Sequence, residues 1–418
     1  MSASYLPRIV EKEIASALSS MGAVVLEGPR ACGKTSTARR FARTEALLDT
    51  DENLRAAAQI DPALVLEGDA PRLLDEWQTV PRLWNHVRRA VDDRGTPGQF
   101  LLTGSAMPAD DLTRHSGAGR FVRLRMRPMS LFEGGLSTGS VSLRALLDGE
   151  PPRAADPGTG LRDLVEAVVR GGWPSHLNMD VAAAAGAARA YIDETRRVDV
   201  SRVDGRERDP DRVGRFLRSV ARNVATYVDV STMAADAGGA DGPLHWETAR
   251  EYLRALERVL VLEDQPAWGP HIRSRARLRN SPKRHFVDPS LAVAALGVGV
   301  QDLLGDLEYF GLLFESLAVR DLRIYGQTLD AEVLQYRDSN GLEVDAIVRA
   351  RDGRWGAFEV KLGPHRIEEG AASLLRFSHH LDLTRVGKPG VLAVLTATGY
   401  GYRRDDGIAV VPIGALGP

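Results

Sequence analysis

The segment Gly28-Pro29-Arg30-Ala31-Cys32-Gly33-Lys34-Thr35 carries the full spacing of a phosphate-binding loop. Its glycines let backbone N–H groups turn inward around phosphate oxygens. Lys34 is placed to reach the β- and γ-phosphates, and the Thr35 hydroxyl to ligate Mg²⁺. Ser36 continues into a helix whose positive end faces the anion. The expected cofactors are ATP and Mg²⁺. Leu73-Leu74-Asp75-Glu76 supplies the matching acidic pair. Asp75 would hold the metal at a strand's carboxyl end, and Glu76 would polarise the attacking water. Thr103 and Ser105 end a further strand, where their hydroxyls could sense the γ-phosphate. Cys32 reads as a small filler whose backbone N–H matters.

A second constellation lies late in the chain, where Glu315, Asp345, Glu359 and Lys361 form the order Glu…Asp…Glu-x-Lys. Asp345 and Glu359 would hold a divalent metal against a scissile phosphate. Lys361 would orient or deprotonate the attacking water, and Glu315 would support the metal from a helix. Residues two apart on a strand share a face, which explains the Glu-x-Lys spacing. Only five of the 54 basic residues are lysines, and two of them, Lys34 and Lys361, fall on these motifs. In a chain that otherwise uses arginine, an ammonium is expected to be needed at both. A third feature is basic. Arg273, Arg275, Arg277 and Arg279 alternate with apolar or small residues, and Lys283 and Arg284 follow with no acidic residue between. Such a strand could lay guanidinium groups along a DNA or RNA backbone. Arg250, Arg254 and Arg258 add a stripe at four-residue spacing.

Three units are expected to position these residues: 1–150, 160–300 and 301–418. The first alternates apolar strands with helices, which argues for a mostly parallel sheet. Glu150 to Gly158 is a Pro/Gly-rich break. The second reads as helices at 211–227, 231–237 and 245–260 followed by the basic strand, a winged-helix pattern. The third reads as a helix at 307–322, strands at 333–336, 343–349 and 356–362, a helix at 367–380 and a strand at 391–396. A three-residue loop of Arg351, Asp352 and Gly353 would pair residues whose numbers sum to 704. It sets Asp345 opposite Glu359, with Val344, Ala346, Val348, Phe358, Val360 and Leu362 on the buried face.

Composition narrows the classes. The chain has 418 residues, 44% hydrophobic and 26% charged, with 54 basic against 56 acidic residues. Net charge therefore points to no nucleic-acid or membrane partner, and the third unit is acidic, with 13 basic against 17 acidic residues. The single cysteine excludes a disulfide scaffold and fits a reducing compartment. No basic region followed by an apolar run opens the chain, and no apolar run is long enough to span a membrane. A cytoplasmic protein is expected.

The start Tyr5-Leu-Pro-Arg8, the phosphate loop, Leu48-Asp-Thr-Asp51, Leu74-Asp-Glu-Trp-Gln78, Leu102-Thr-Gly-Ser105, Ser116-Gly-Ala-Gly-Arg120, Arg127-Pro-Met-Ser-Leu-Phe-Glu133 and Gly171-Gly-Trp-Pro174 occur in that order. Together they resemble a group of prokaryotic ATPases with an AAA-type core and a C-terminal domain of unknown function. The resemblance covers essentially the whole chain. It implies an α/β fold with a P-loop NTPase core, a helical and winged-helix middle, and a restriction-endonuclease-like α/β C-terminal domain. The activity it implies is ATP hydrolysis coupled to nucleic-acid binding or cleavage. The alternative is a nucleotide-dependent regulatory switch whose C-terminal domain binds partners without cleaving. In AAA-type enzymes an arginine from a neighbouring subunit often completes the site, so a homo-oligomer is an expected partner state. Arg120 is the candidate finger, with Arg114 as its competitor.

Overall fold

The computed structural model describes residues 5–107, 116–203, 205–239, 242–270 and 281–418. Five strands open the fold: β1 (Ala23–Glu27), β2 (Thr44–Leu47), β3 (Arg72–Asp75), β4 (Phe100–Gly104) and β5 (Phe121–Arg125). They form one all-parallel sheet in the order β2-β3-β4-β1-β5. Strand β1, Ala-Val-Val-Leu-Glu, is buried along its whole length, as an apolar run covered on both faces by helices should be. Parallel pairing brings the carboxyl ends of β1, β3 and β4 to one edge. That edge is where loops of such sheets bind ligands.

A short strand β6 (Val141–Ser142) leads into the helix Leu143–Leu147. The middle of the chain is helical, with Leu161–Arg170, Val181–Glu194, Pro210–Arg222, Val230–Asp236 and Trp246–Arg258. Strands β7 (Leu262–Gln265) and β8 (Lys283–Phe286) then pair antiparallel. The short helix begins one residue before the expected 231, because Asp229 is the cap and accepts from the Thr232 N–H.

The last unit begins with the buried helix Leu307–Gly326. Strands β9 (Ala331–Arg337), β10 (Glu343–Ala350) and β11 (Trp355–Lys361), the helix Ile367–His380, and strands β12 (Val391–Thr396), β13 (Tyr402–Arg403) and β14 (Ala409–Pro412) follow. They make a mixed sheet in the order β13-β14-β12-β11-β10-β9. Phe358 and Val360 pack with the core around Leu317, while Trp355 and Ala357 pack with Leu374 and Phe377 of the second helix. A final strand, β15 (Leu416–Gly417), returns to pair with β6.

The β10–β11 hairpin has the expected register, with Ala346 opposite Phe358 and Arg349 opposite Trp355. Its loop is Arg351, Asp352 and Gly353, closed by the Ala350 N–H donating to the Arg354 carbonyl, 2.9 Å. Gly353 takes φ +96°, a left-handed conformation that suits glycine. One expectation fails at the far end. The pairing of β10 with β9 shifts between Val344 and Ile347, a bulge. Val344 consequently packs with Ile347 and Trp355 rather than with Ala346 and Val348. The last β10–β11 pair is Ala346–Phe358, so the ladder stops one residue short of Asp345 and Glu359.

Candidate functional site

The phosphate loop leaves β1 at Glu27 and runs into the helix Lys34–Arg39. A Cβ at Gly28 would collide with the Met126 carbonyl, and Gly33 has φ +100°, so both positions require glycine. The loop is held from outside. The Arg8 guanidinium donates to the Cys32 carbonyl at 2.8 Å and to the Arg127 carbonyl at 2.7 Å, and pairs with Glu133 at 3.0 Å. Glu133 also accepts the Ile9 and Ser130 N–H groups. Arg30 pairs with Asp199 of the helical middle, 3.0 Å. Cys32 is buried among apolar side chains, as a filler should be.

Lys34 donates to the Pro29 carbonyl at 2.8 Å, curling over its own loop. The Thr35 hydroxyl donates to Asp75 Oδ1, 2.8 Å, and Thr103 donates to the same oxygen. Asp75 is buried, and burial pushes its carboxyl pKa up, with the Thr103 and Thr35 hydroxyls opposing. Beside it, Glu76 takes a left-handed backbone, φ 52° and ψ 45°. A glutamate held in that region is uncommon, and such strain collects at functional sites. Glu76 Oε2 accepts from the Ser105 hydroxyl at 2.8 Å and from the Gln78 amide. The geometry thus gathers Lys34, Thr35, Asp75, Glu76, Thr103 and Ser105 at one sheet edge. Thr35 and Asp75 are hard oxygen ligands 2.8 Å apart, a donor set that fits Mg²⁺. Arg8, Glu133 and Gln78 complete the surroundings. All three stand within the sequence motifs, but nothing in the motifs themselves reveals their role.

Arg120 sits at the other end of the sheet. It pairs at the surface with Asp92, 2.8 Å, and its carbonyl accepts the Ala23 N–H where β1 begins. It is therefore remote from the phosphate loop of its own chain. Arg114 lies outside the described residues.

In the last unit Glu315, Asp345, Glu359 and Lys361 do converge, with a fifth member. Lys283 Nζ, on β8, is 2.6 Å from Glu315 Oε1 and 3.3 Å from Asp345 Oδ1. Asp345 Oδ2 accepts the Val360 N–H, 2.9 Å, just past the last β10–β11 pair. Glu359 pairs with Lys361 at 2.8 Å and accepts from Ser373, 3.2 Å. Burial pushes Glu315 up to about 8 and Glu359 up to about 7, and the nearby Asp345 carboxylate adds to both. Asp345 itself is lowered, because Lys283 and Lys361 outweigh its burial. Burial pulls Lys361 down, but Asp345 and Glu359 more than restore it. Among the described residues no three His, Cys, Asp or Glu side chains are grouped to hold a metal ion.

Arg273, Arg275, Arg277 and Arg279 lie outside the described residues. Lys283 and Arg284 close the same basic run. Both are buried in β8, and Arg284 donates to the Val228 carbonyl, 2.8 Å. Arg258 likewise turns inward, donating to the Met107 carbonyl at the exit of the β4 strand, 3.3 Å.

Comparison with known proteins agrees with the nucleotide core. Residues 20–134 match the AAA domain family, 161–302 a domain of unknown function (DUF8612), and 310–416 another domain of unknown function (DUF4143). Similar curated proteins are an uncharacterised protein of Mycobacterium bovis and one of Mycobacterium tuberculosis. Each is 28% identical over 356 residues, covering 82% of this chain and 71% of the relative. Among solved structures, the Walker-type ATPase PABY2304 of Pyrococcus abyssi shares 14% identity at a TM-score of 0.42. That alignment covers 70% of this chain and 96% of the other. No helix among the described residues is long and apolar enough to cross a membrane.

Proposed function

We propose that this protein is a cytoplasmic Mg²⁺-dependent ATPase whose nucleotide core acts on its nuclease-like C-terminal unit. The observation that carries the reading is the convergence of Lys34, Thr35, Asp75 and Glu76 at one sheet edge. Bound Mg²⁺ neutralises phosphate charge, and Thr35 and Asp75 are the residues that would hold it. Lys34 exchanges the Pro29 carbonyl for the β- and γ-phosphates. Glu76, oriented by Ser105 and Gln78, accepts the proton of the attacking water. A cavity of about 450 Å³ borders the loop at Gly33, Ser36 and Thr37, a size suited to a nucleoside. Arg120 would serve the site of a neighbouring copy.

The route to the C-terminal unit is covalent and polar. Arg8 joins the Cys32 carbonyl to Arg127, and Arg127 pairs with Glu263 on β7 at 2.5 Å. Strand β7 pairs with β8, which carries Lys283 into the carboxylate cluster. Nucleic acid is the proposed partner of the arginines at 273–279. Replacing any one phosphate-binding arginine there by serine should then lower the slope of log affinity against log salt by roughly one.

One observation favours the rival reading, a switch that binds partners without cleaving. The carboxylates of the cluster are already countered by Lys283 and Lys361. Phosphate-release assays test the core. Lys34→Ala abolishes turnover and weakens nucleotide binding, while Glu76→Gln binds ATP and turns over slowly. Normal turnover in either variant removes the site. Plasmid and RNA incubated with Mg²⁺ or Mn²⁺, with and without ATP, separate the two readings. Cleavage that disappears in Lys361→Ala supports the nuclease, and no cleavage under any condition supports the switch.

A further inference from the structure

The resemblance to nucleases implies a divalent cation between Asp345 and Glu359, and the residues present do not fit one. Asp345 offers one oxygen to the Val360 N–H and the other to Lys283. Glu315 gives Oε1 to Lys283, and Glu359 gives its oxygens to Lys361 and Ser373. Three carboxylates thus meet two ammonium groups, and the Lys283 side chain is only 4% exposed.

Lys283 belongs to the middle of the chain, and its strand is fastened onto the last unit. The His285 ring bridges Gln265 and Ser316, 3.0 Å to each. The Gln265 amide donates to the Asp345 and Leu334 carbonyls, at 2.9 and 3.1 Å. The Tyr227 ring lies 5.2 Å from the ammonium, a cation–π distance. Burial pulls the Lys283 pKa down, but Glu315 and Asp345 raise it well above the ordinary lysine value. A charge this deeply buried persists only where partners compensate its missing hydration.

We infer that Lys283 is the resident cation of this cluster: β8 inserts an ammonium between Glu315 and Asp345, which takes the Asp345 oxygen a divalent ion would need and so excludes one. This deepens the proposed function, since it rests on reading the cluster as the C-terminal unit's working site. It makes the middle of the chain a gate, because a metal enters only if β8 withdraws.

The test is Mn²⁺ binding to nucleotide-free full-length protein, followed by calorimetry and by the unfolding midpoint. Wild type and Lys283→Arg are expected to show no Mn²⁺ binding that Asp345→Asn removes. Lys283→Met is expected to gain one bound Mn²⁺, abolished again on adding Asp345→Asn, and a midpoint that Mn²⁺ raises. Asp345-dependent Mn²⁺ binding in wild type overturns the inference. So does a Lys283→Met variant with the wild-type far-ultraviolet spectrum and no Mn²⁺ site. If Lys283→Met does not fold, the comparison of wild type with Asp345→Asn decides. Failure of the ATPase reading shows separately, as unchanged phosphate release in Lys34→Ala.

Discussion

At the scale of single residues, the nucleotide site is organised around two adjacent carboxylates with different surroundings. Asp75 is buried under two threonine hydroxyls, which both donate to its Oδ1. Glu76 is only half buried, and Ser105 and Gln78 aim it. If Glu76 orients water, the Ser105 hydroxyl is a positioning group. A hydrogen bond to a charged group contributes about 1.5–3 kcal/mol, so Ser105→Ala should lower kcat roughly 10- to 100-fold. KM for ATP should stay within about threefold, because Ser105 touches Glu76 rather than the phosphate loop. Steady-state kinetics decide it: an unchanged kcat removes Ser105 from the mechanism. The same scale explains why Lys283 escapes notice in the sequence. Lysine scarcity points to it as much as to Lys34 and Lys361. Adjacent to arginines along the chain, however, Lys283 looks like one more surface cation.

At the scale of elements, the helix Trp246–Arg258 and the β7–β8 ribbon carry charged groups in unusual places. Glu257 is pushed up to about 7, by burial first and then by the carboxylate of Asp264. The folded carboxyl therefore holds its proton more tightly than the unfolded one, near about 4.3. Its contribution to stability is complete below the unfolded value and is lost as pH rises through about 7. Glu257→Gln keeps a neutral side chain at every pH. Between pH of about 5 and about 8 its unfolding midpoint should fall less than that of wild type. Parallel curves for the two proteins would refute the assignment. On β7, Arg127 and Arg323 hold Glu263 well below the usual carboxylate range against its burial, so this ion pair is fully charged at neutral pH.

At the scale of the whole molecule, the nucleotide core is not a separable piece. The Leu131 N–H donates to Asp321 of the helix Leu307–Gly326, 3.0 Å. Asp321 pairs with Arg320, which in turn pairs with Asp288, both at 2.7 Å. Asp288 accepts the Gly172 N–H beside the buried Trp173. Leu143, Leu146 and Leu147 are buried in the same continuous core, and β6 pairs with the distant β15. A fragment of residues 1–150 should therefore expose this surface and fail to fold cooperatively. Circular dichroism and thermal unfolding of the fragment test this. A sharp transition with ATP binding intact would show that the core stands alone.

How much was legible in the sequence follows from the range of the interactions involved. The phosphate loop, the Asp75-Glu76 pair and the parallel sheet were readable because local backbone chemistry dictates them. Glycines at tight turns and apolar runs in buried strands leave a signature within a few residues. The β10–β11 register was readable for the same reason, since a three-residue loop and alternating apolar positions specify it. The bulge at Val344–Ile347 was not, because it arises from β10 pairing with β9 on its other side. Nor was the identity of the cation beside Asp345. Lys283 lies 62 residues away in sequence, on a strand of another unit, and only the packing of β8 against the helix Leu307–Gly326 brings it there. Electrostatic partnership inside a core depends on distance in space, and chain order carries no record of it.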